Sequence, residues 1–278
     1  MPAPQRAPNH PEPAQAAAES HVASRCSLPP WALASREFQT NPWPIEIAGI
    51  RQSESRLFDL LDRLEDADAR GALFHEYIAT RFQIEQWGGD SPVARESLRH
   101  SYLRFLRGWG ADSNGPSGAV LKNWVESRFG LRPVYHGGIL ATDPAARDKY
   151  LRDKMRGEAE TMGVGMQLDL LYTYCQHELA KRYPGERWLV LYRGTHDPDE
   201  YAVGKPISPS RSIVTLNNLS SFTSDVEIAW EFGSLVWKAL IPIPKIVFFS
   251  GLLPRNLLEG EKEHLVLGGE YEVENLRW

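Results

Sequence analysis

Three short stretches in the last third of this 278-residue chain concentrate side chains suited to holding a charged ligand and reacting with it. In Leu189-Val-Leu-Tyr192-Arg193-Gly194 an apolar strand runs into an arginine and a glycine. A guanidinium at a strand exit offers a planar fork to a phosphate or carboxylate, and glycine beside it permits close approach. In Ser220-Ser221-Phe222-Thr223-Ser224-Asp225 there are more hydroxyls than a helix cap needs, so the surplus can hold polar ligand groups while Phe222 stacks on a ring. In Gly260-Glu261-Lys262-Glu263-His264 two carboxylates stand at i and i+2, on one side of the chain if it is extended, with Lys262 opposite. Each stretch also has an ordinary structural explanation. Arg193 can be a partly buried structural arginine, Ser224-Asp-Val-Glu227 matches a capping box for a following helix, and Glu-x-Glu can be a charged loop entering an edge strand.

Other chemistries lack their residues. Gly163-Val-Gly165 begins like a dinucleotide fingerprint, but no third glycine follows and no strand precedes it. His177-Glu178 and His75-Glu76 lack the second histidine of a zinc protease, and no phosphate-binding loop or nucleophile elbow occurs. The eight histidines are scattered singly, and no metal site is expected.

The three stretches need elements to position them, and the chain divides near residue 185. Residues 1–27 are rich in Pro, Ala, Gln, Glu and Ser and read as a disordered tail, with too little apolar surface to offset the entropy of ordering. Over 28–184 apolar residues recur at helical spacing. This predicts two amphipathic helices after Glu54 and one from Ser91-Pro92 to about Gly108. Others are expected over 118–129 with Gly130 as a left-handed cap, over 144–160 and over 166–183. Arg95, Arg99, His100, Arg104 and Arg107 wrap the helix that ends near Gly108, as a solvated face or a docking patch for an acidic partner. From 185 to 278 the texture changes to short apolar runs between Gly, Pro, Asn and Ser, which predicts strands at 188–192, 213–216, 235–241, 245–249, 264–267 and 271–273 and one short helix at 226–232. The fold class is therefore α+β, a helical N-terminal two-thirds packed on a C-terminal mixed β-sheet core.

Composition narrows the class further. With 31 Lys and Arg against 36 Asp and Glu the net charge is -5, without the basic field that draws in nucleic acid or an anionic membrane. Two cysteines, Cys26 and Cys175, are too few for a disulfide framework, and no apolar run is long enough to span a membrane, so a cytoplasmic protein is expected.

Arginine on an early strand, a serine/threonine strand end and Glu-x-Glu on a late strand follow one another in the order seen in mono-ADP-ribosyltransferases, which bind NAD through Arg, Ser and Glu. The resemblance is closer still in three runs: LRGWGADSNGPSGAVLKNWVESRFG at 106–130, QLDLLY at 167–172 and LNNL at 216–219. These resemble the dinitrogenase reductase ADP-ribosyltransferase family over about 28–274.

The resemblance implies that NAD is a substrate and that ADP-ribose passes to an arginine of the nitrogenase iron protein, reversibly inactivating it to regulate nitrogen fixation. It implies the nitrogen-signalling protein PII as a regulator. Carried over by motif, Arg193 contacts the NAD diphosphate, Glu263 hydrogen-bonds the nicotinamide-ribose 2'-OH and stabilises the cation, and Glu261 orients or deprotonates the acceptor guanidinium. Ser221, Thr223 and Ser224 match the supporting serine motif, although Phe222 interrupts it; Ser221 is favoured as the hydroxyl that touches Glu263. Gly194 is expected against the adenylate or nicotinamide amide, with His196 as a neighbour. The segment 109–124 is assigned to recognition of the protein substrate or a regulator. Alternatives are an arginine-specific transferase with another target, an NAD glycohydrolase, and a catalytically inactive regulator-binding module.

Overall fold

The computed structural model describes residues 25–84, 101–159, 163–196, 202–254 and 262–277. The helical part contains α1 (Pro30–Ala34), α2 (Arg36–Thr40), α3 (Ile50–Ser53), α4 (Ser55–Asp62), α5 (Ala67–Arg81), α6 (Tyr102–Ala111) and α7 (Pro116–Phe129). A small hairpin of β1 (Val134–Tyr135) and β2 (Gly138–Ile139) then leads into α8 (Pro144–Glu158) and α9 (Val164–Arg182). Local chemistry sets most of these ends. Asp66 accepts from Ala69 N to open α5, Asp143 accepts from Ala146 N to open α8, and Pro116 and Pro144 occupy first-turn positions where a missing N–H costs nothing. Helix α7 stops at Gly130, whose φ of 69° suits glycine, and a Cβ there would lie 2.3 Å from Pro30 Cγ.

The expected helix from Ser91 to about Gly108 is different. Its first half lies outside the described residues, together with Arg95, Arg99 and His100. The described half begins anew, because Ser101 is extended and its Oγ accepts from Leu103 N at 3.2 Å, capping α6. Residues 25–27 of the expected tail are ordered: Arg25 N donates to Arg128 O, and Cys26 bridges Ile47. Residues 1–24 lie outside the described residues.

The sheet is built from β3 (Trp188–Thr195), β4 (Ala202–Ser208), β5 (Arg211–Thr223), β6 (Leu235–Pro242), β7 (Ile246–Phe249) and β8 (Glu263–Arg277), with the short helix α10 (Val226–Glu231) between β5 and β6. The α+β layout expected from the chain is observed. The ladders among the described residues are antiparallel, not of mixed direction. The strand order is β4-β5-β3-β6-β8-β7, and β5 also pairs with β8. The pairings β3 to β6, β6 to β8, β8 to β5 and β5 back to β3 therefore return on themselves, as in a small closed sheet.

Two strands are much longer than their apolar runs suggest. Strand β5 continues through Asn217 and Asn218, and β8 through Gly268 and Gly269. These interruptions face each other across an irregularity between Leu216 and Leu219. A Cβ on Gly268 would lie 1.8 Å from Asn217 O, so only glycine lets the two strands close there. One apolar core then runs through both parts of the chain. The α9 stripe of Leu168, Leu171, Cys175 and Leu179 packs in the same cluster as Trp237, Val266 and Tyr271 of the sheet. No helix among the described residues is long and apolar enough to cross a membrane.

Candidate active site

The three reactive stretches meet because of strand register. Strand β3 touches β5 through the single pair Tyr192–Thr223, and Thr223 is in turn opposite Glu263 on β8. That places Arg193, one residue past Tyr192, beside the end of β5, where its Nη1 donates to Ser221 O at 2.7 Å. On the other side Ser221 Oγ lies 2.7 Å from Glu263 Oε1. The start of β8 is pinned from behind, since Glu263 N donates to Ser250 Oγ at 2.9 Å and Ser250 N donates to Glu263 O at 2.7 Å. Residues 189–194, 220–225 and 263 thus converge at one end of the sheet.

They open onto a cleft of about 1280 Å³ whose far wall comes from α6, α7 and the β1–β2 hairpin. Arg193, Gly194, His196, Ser221, Thr223 and Glu263 all line it. Their roles differ from one another. Thr223 is 6% exposed, and its Oγ1 accepts from Asp225 N at 3.2 Å, so this hydroxyl is engaged in the turn. Ser224 is exposed, and the cap of α10 is Asp225, not Ser224: Asp225 Oδ1 accepts from Glu227 N at 3.0 Å. Phe222 borders the cleft but is 3% exposed, with its ring tilted against Tyr271, so it shows no face on which a bound ring can stack. Gly194 is required by the protein itself, because a Cβ there would lie 2.0 Å from Ala229 O of α10.

Glu261 lies outside the described residues. Its neighbour Lys262 has φ of 52°, so the Glu-x-Glu segment is not extended at its middle residue and the strand argument for two carboxylates on one side does not apply. Lys262 turns instead to Asp225, with Nζ donating to Oδ2 at 2.8 Å. His264, the next residue, is buried; its Nδ1 lies 3.0 Å from Lys262 O, and burial pushes its pKa down to about 4.

Two cleft residues come from the helical part, inside the segment 109–124 assigned to partner recognition, and neither was expected beside the carboxylate. Trp109 on α6 donates from Nε1 to Ser221 Oγ at 2.8 Å. Lys122 on α7 is 2% exposed, donates from Nζ to Asn114 Oδ1 at 2.8 Å, and has its pKa pushed down to about 8 by burial, against the raising influence of Asp112. Trp109 and Trp124 are 4% and 3% exposed, so the indoles of the segment assigned to partner recognition are turned inward. The one available signal was that both residues fall in the 106–130 run, which carries family resemblance without stating a role.

The model of the dinitrogenase reductase ADP-ribosyltransferases matches residues 23–275. The chain belongs to this family. It is 39% identical over 259 residues to the NAD(+)--dinitrogen-reductase ADP-D-ribosyltransferase of Rhodospirillum rubrum, covering 91% of this chain and 94% of that protein. No solved structure matches it significantly.

In this family member the other two resembling runs are scaffold. Gln167 Oε1 accepts from Tyr102 N at 2.9 Å at the start of α6, and Asp169 Oδ1 accepts from both Trp124 Nε1 and Arg128 Nε at 2.7 Å. Asn217 pairs with both backbone groups of Val134, and Asn218 Nδ2 donates to Lys122 O at 2.8 Å and Leu131 O at 3.0 Å. The two asparagines at the β5 irregularity therefore tie the helical wall of the cleft to the sheet floor. Buried amides and carbonyls that lose such partners cost about 1–3 kcal/mol each.

Proposed function

We propose that this chain transfers ADP-ribose from NAD to an arginine of dinitrogenase reductase, the nitrogenase iron protein, reversibly inactivating it and so regulating nitrogen fixation. Family membership supports the reaction class, and the single observation that carries the site assignment is Ser221 bonded to Glu263 beside Arg193 in one cleft.

The chemistry asks for what these groups offer. The bond between C-1' of the ribose and the nicotinamide nitrogen breaks, its electron pair leaves with nicotinamide, and positive charge develops on the ribose. A fixed carboxylate at that point stabilises the transition state more than the ground state, which is what accelerates a reaction. Glu263 takes this role, oriented by Ser221. Arg193 takes the diphosphate, where a charge-assisted fork holds the dinucleotide still. The acceptor guanidinium nitrogen then bonds to C-1' and gives up a proton. Since free guanidinium is always protonated, a carboxylate must assist, and Glu261 is assigned that role by its motif position. We place the reaction in the cytoplasm, on the two cysteines and the absence of a long apolar run in the sequence, and take PII as the regulator, on the family resemblance.

Labelled NAD and dinitrogenase reductase, incubated with the wild-type chain and with Glu263→Gln, test the reading. Label on dinitrogenase reductase that disappears with Glu263→Gln is the expected result. Nicotinamide release without labelled protein would move the function to hydrolysis or to another target, and near-normal turnover by Glu263→Gln would remove the carboxylate assignment.

A further inference from the structure

The hydrogen-bond chain that ends on Glu263 begins outside the sheet. Trp109 Nε1 donates to Ser221 Oγ at 2.8 Å, and Ser221 Oγ lies 2.7 Å from Glu263 Oε1. An indole N–H can only donate, and an ionised carboxylate can only accept. The hydroxyl between them consequently has one orientation: it accepts from Trp109 and gives its proton to Glu263. Without the indole, the same hydroxyl is held by one bond instead of two.

The indole is itself clamped. It is 4% exposed, and the Lys122 ammonium lies 5.8 Å from its ring centre and 5.2 Å from that of Tyr135. Lys122 in turn donates to Asn114 Oδ1. A desolvated cation near an aromatic ring is attracted to it, so the ammonium holds the ring in place. Chained hydrogen bonds also polarise one another, and a donor fixed from behind makes the next bond stronger.

We propose that Trp109 is a positioning residue for the ADP-ribosyl transfer, acting through Ser221 to fix Glu263 toward the charge that develops on the ribose. This rests on the function assigned to the cleft above. It makes α6 of the helical part a component of the reaction centre, in addition to any part it plays in recognising partners.

Trp109→Phe keeps an aromatic ring beside Lys122 and removes only the N–H donor. The expected result is a kcat for NAD cleavage lowered ~10–100-fold, the range for losing a group that orients a reactive one, with KM for NAD within about 2-fold and an unchanged melting midpoint. In the Ser221→Ala background, Trp109→Phe is expected to cost nothing further, because the two residues act in series. Wild-type kcat in Trp109→Phe, or independent multiplication of the two losses, would overturn the proposal. Should Trp109→Phe fail to fold, Lys122→Met, which unclamps the indole but leaves its N–H, must show a loss confined to kcat; a wild-type rate there would overturn it equally. Wild-type and Glu263→Gln arms separate the two readings. A wild-type chain that does not cleave NAD sinks the assigned function and this inference together. An active wild type, an inactive Glu263→Gln and an unaffected Trp109→Phe sink only the inference.

Discussion

Ser221 Oγ lies 2.7 Å from Glu263 Oε1 although the two residues are not partners in the β5–β8 ladder, where Glu263 is opposite Thr223 and Ser221 is opposite Leu265. The contact runs on the diagonal of one sheet face, a separation that a long side chain spans. The hydroxyl of Thr223, the residue opposite Glu263 in the ladder, accepts from Asp225 N of the following bend.

This geometry divides the hydroxyls by function. Ser221→Ala is expected to lower kcat about 10-fold or more, because it removes the orienting donor from Glu263, and to cost about 1 kcal/mol of stability by leaving the Trp109 N–H without its acceptor. Thr223→Val is expected to lower stability by about 1 kcal/mol, as for loss of a capping side chain, with kcat nearly unchanged. Steady-state kinetics and thermal melts on both variants check this, and the reverse pattern would transfer the role to Thr223.

Arg193 connects the ligand side of the cleft to the strand that carries Ser221, through its Nη1 bond to Ser221 O. Arg193→Lys keeps the charge and loses the planar fork. The expected outcome is a KM for NAD raised about 10-fold, with a smaller fall in kcat. Calorimetric titration with NAD measures the binding change directly, and an unaltered affinity would leave Arg193 a structural arginine.

Gly194 tests whether the glycine beside Arg193 serves a ligand or the fold. The methyl of Gly194→Ala would sit 2.0 Å from Ala229 O and 3.0 Å from Gly233 N, both backbone, so α10 must shift. A destabilisation of about 1–3 kcal/mol is expected, as in an overpacked core, before any effect on NAD is considered. A denaturant midpoint equal to wild type would show that β3 and α10 are less closely packed than described.

Acid should destabilise the folded chain. Burial holds His264 and His75 near pKa 4, against an ordinary 6.5, so both are neutral in the folded chain. The unfolded chain binds more protons between those values, and stability therefore rises with pH. The contribution is complete above about 6.5 and is lost as pH falls from there through about 4. Melting midpoints from about pH 7.5 to about pH 4.5, one unit above the ordinary histidine value to two below it, should fall more steeply for wild type than for His264→Gln. Parallel slopes would exclude His264 as a source of the acid sensitivity.

Local chemistry was legible where it is decided locally. Helix starts at Asp143-Pro144, the left-handed stop at Gly130 and the buried stripe of α9 follow from capping, backbone freedom and periodicity, each a property of neighbouring residues. Arg193, Ser221 and Glu263 were likewise recognisable by residue type and chain order. The lengths of β5 and β8 were not, because Asn217-Asn218 and Gly268-Gly269 read as turns in isolation and form an irregularity only against each other. Nor did the spacing reveal that Lys262 leaves the extended region and pairs with Asp225, 37 positions away. Trp109 stands 112 positions from the serine it holds, and Lys122 is buried by rings from two different elements. The sequence determined which groups were available for the reaction; the closure of the sheet and the docking of α6 decided which of them touch. Contacts between distant segments depend on the whole packing, and no window of neighbouring residues contains it.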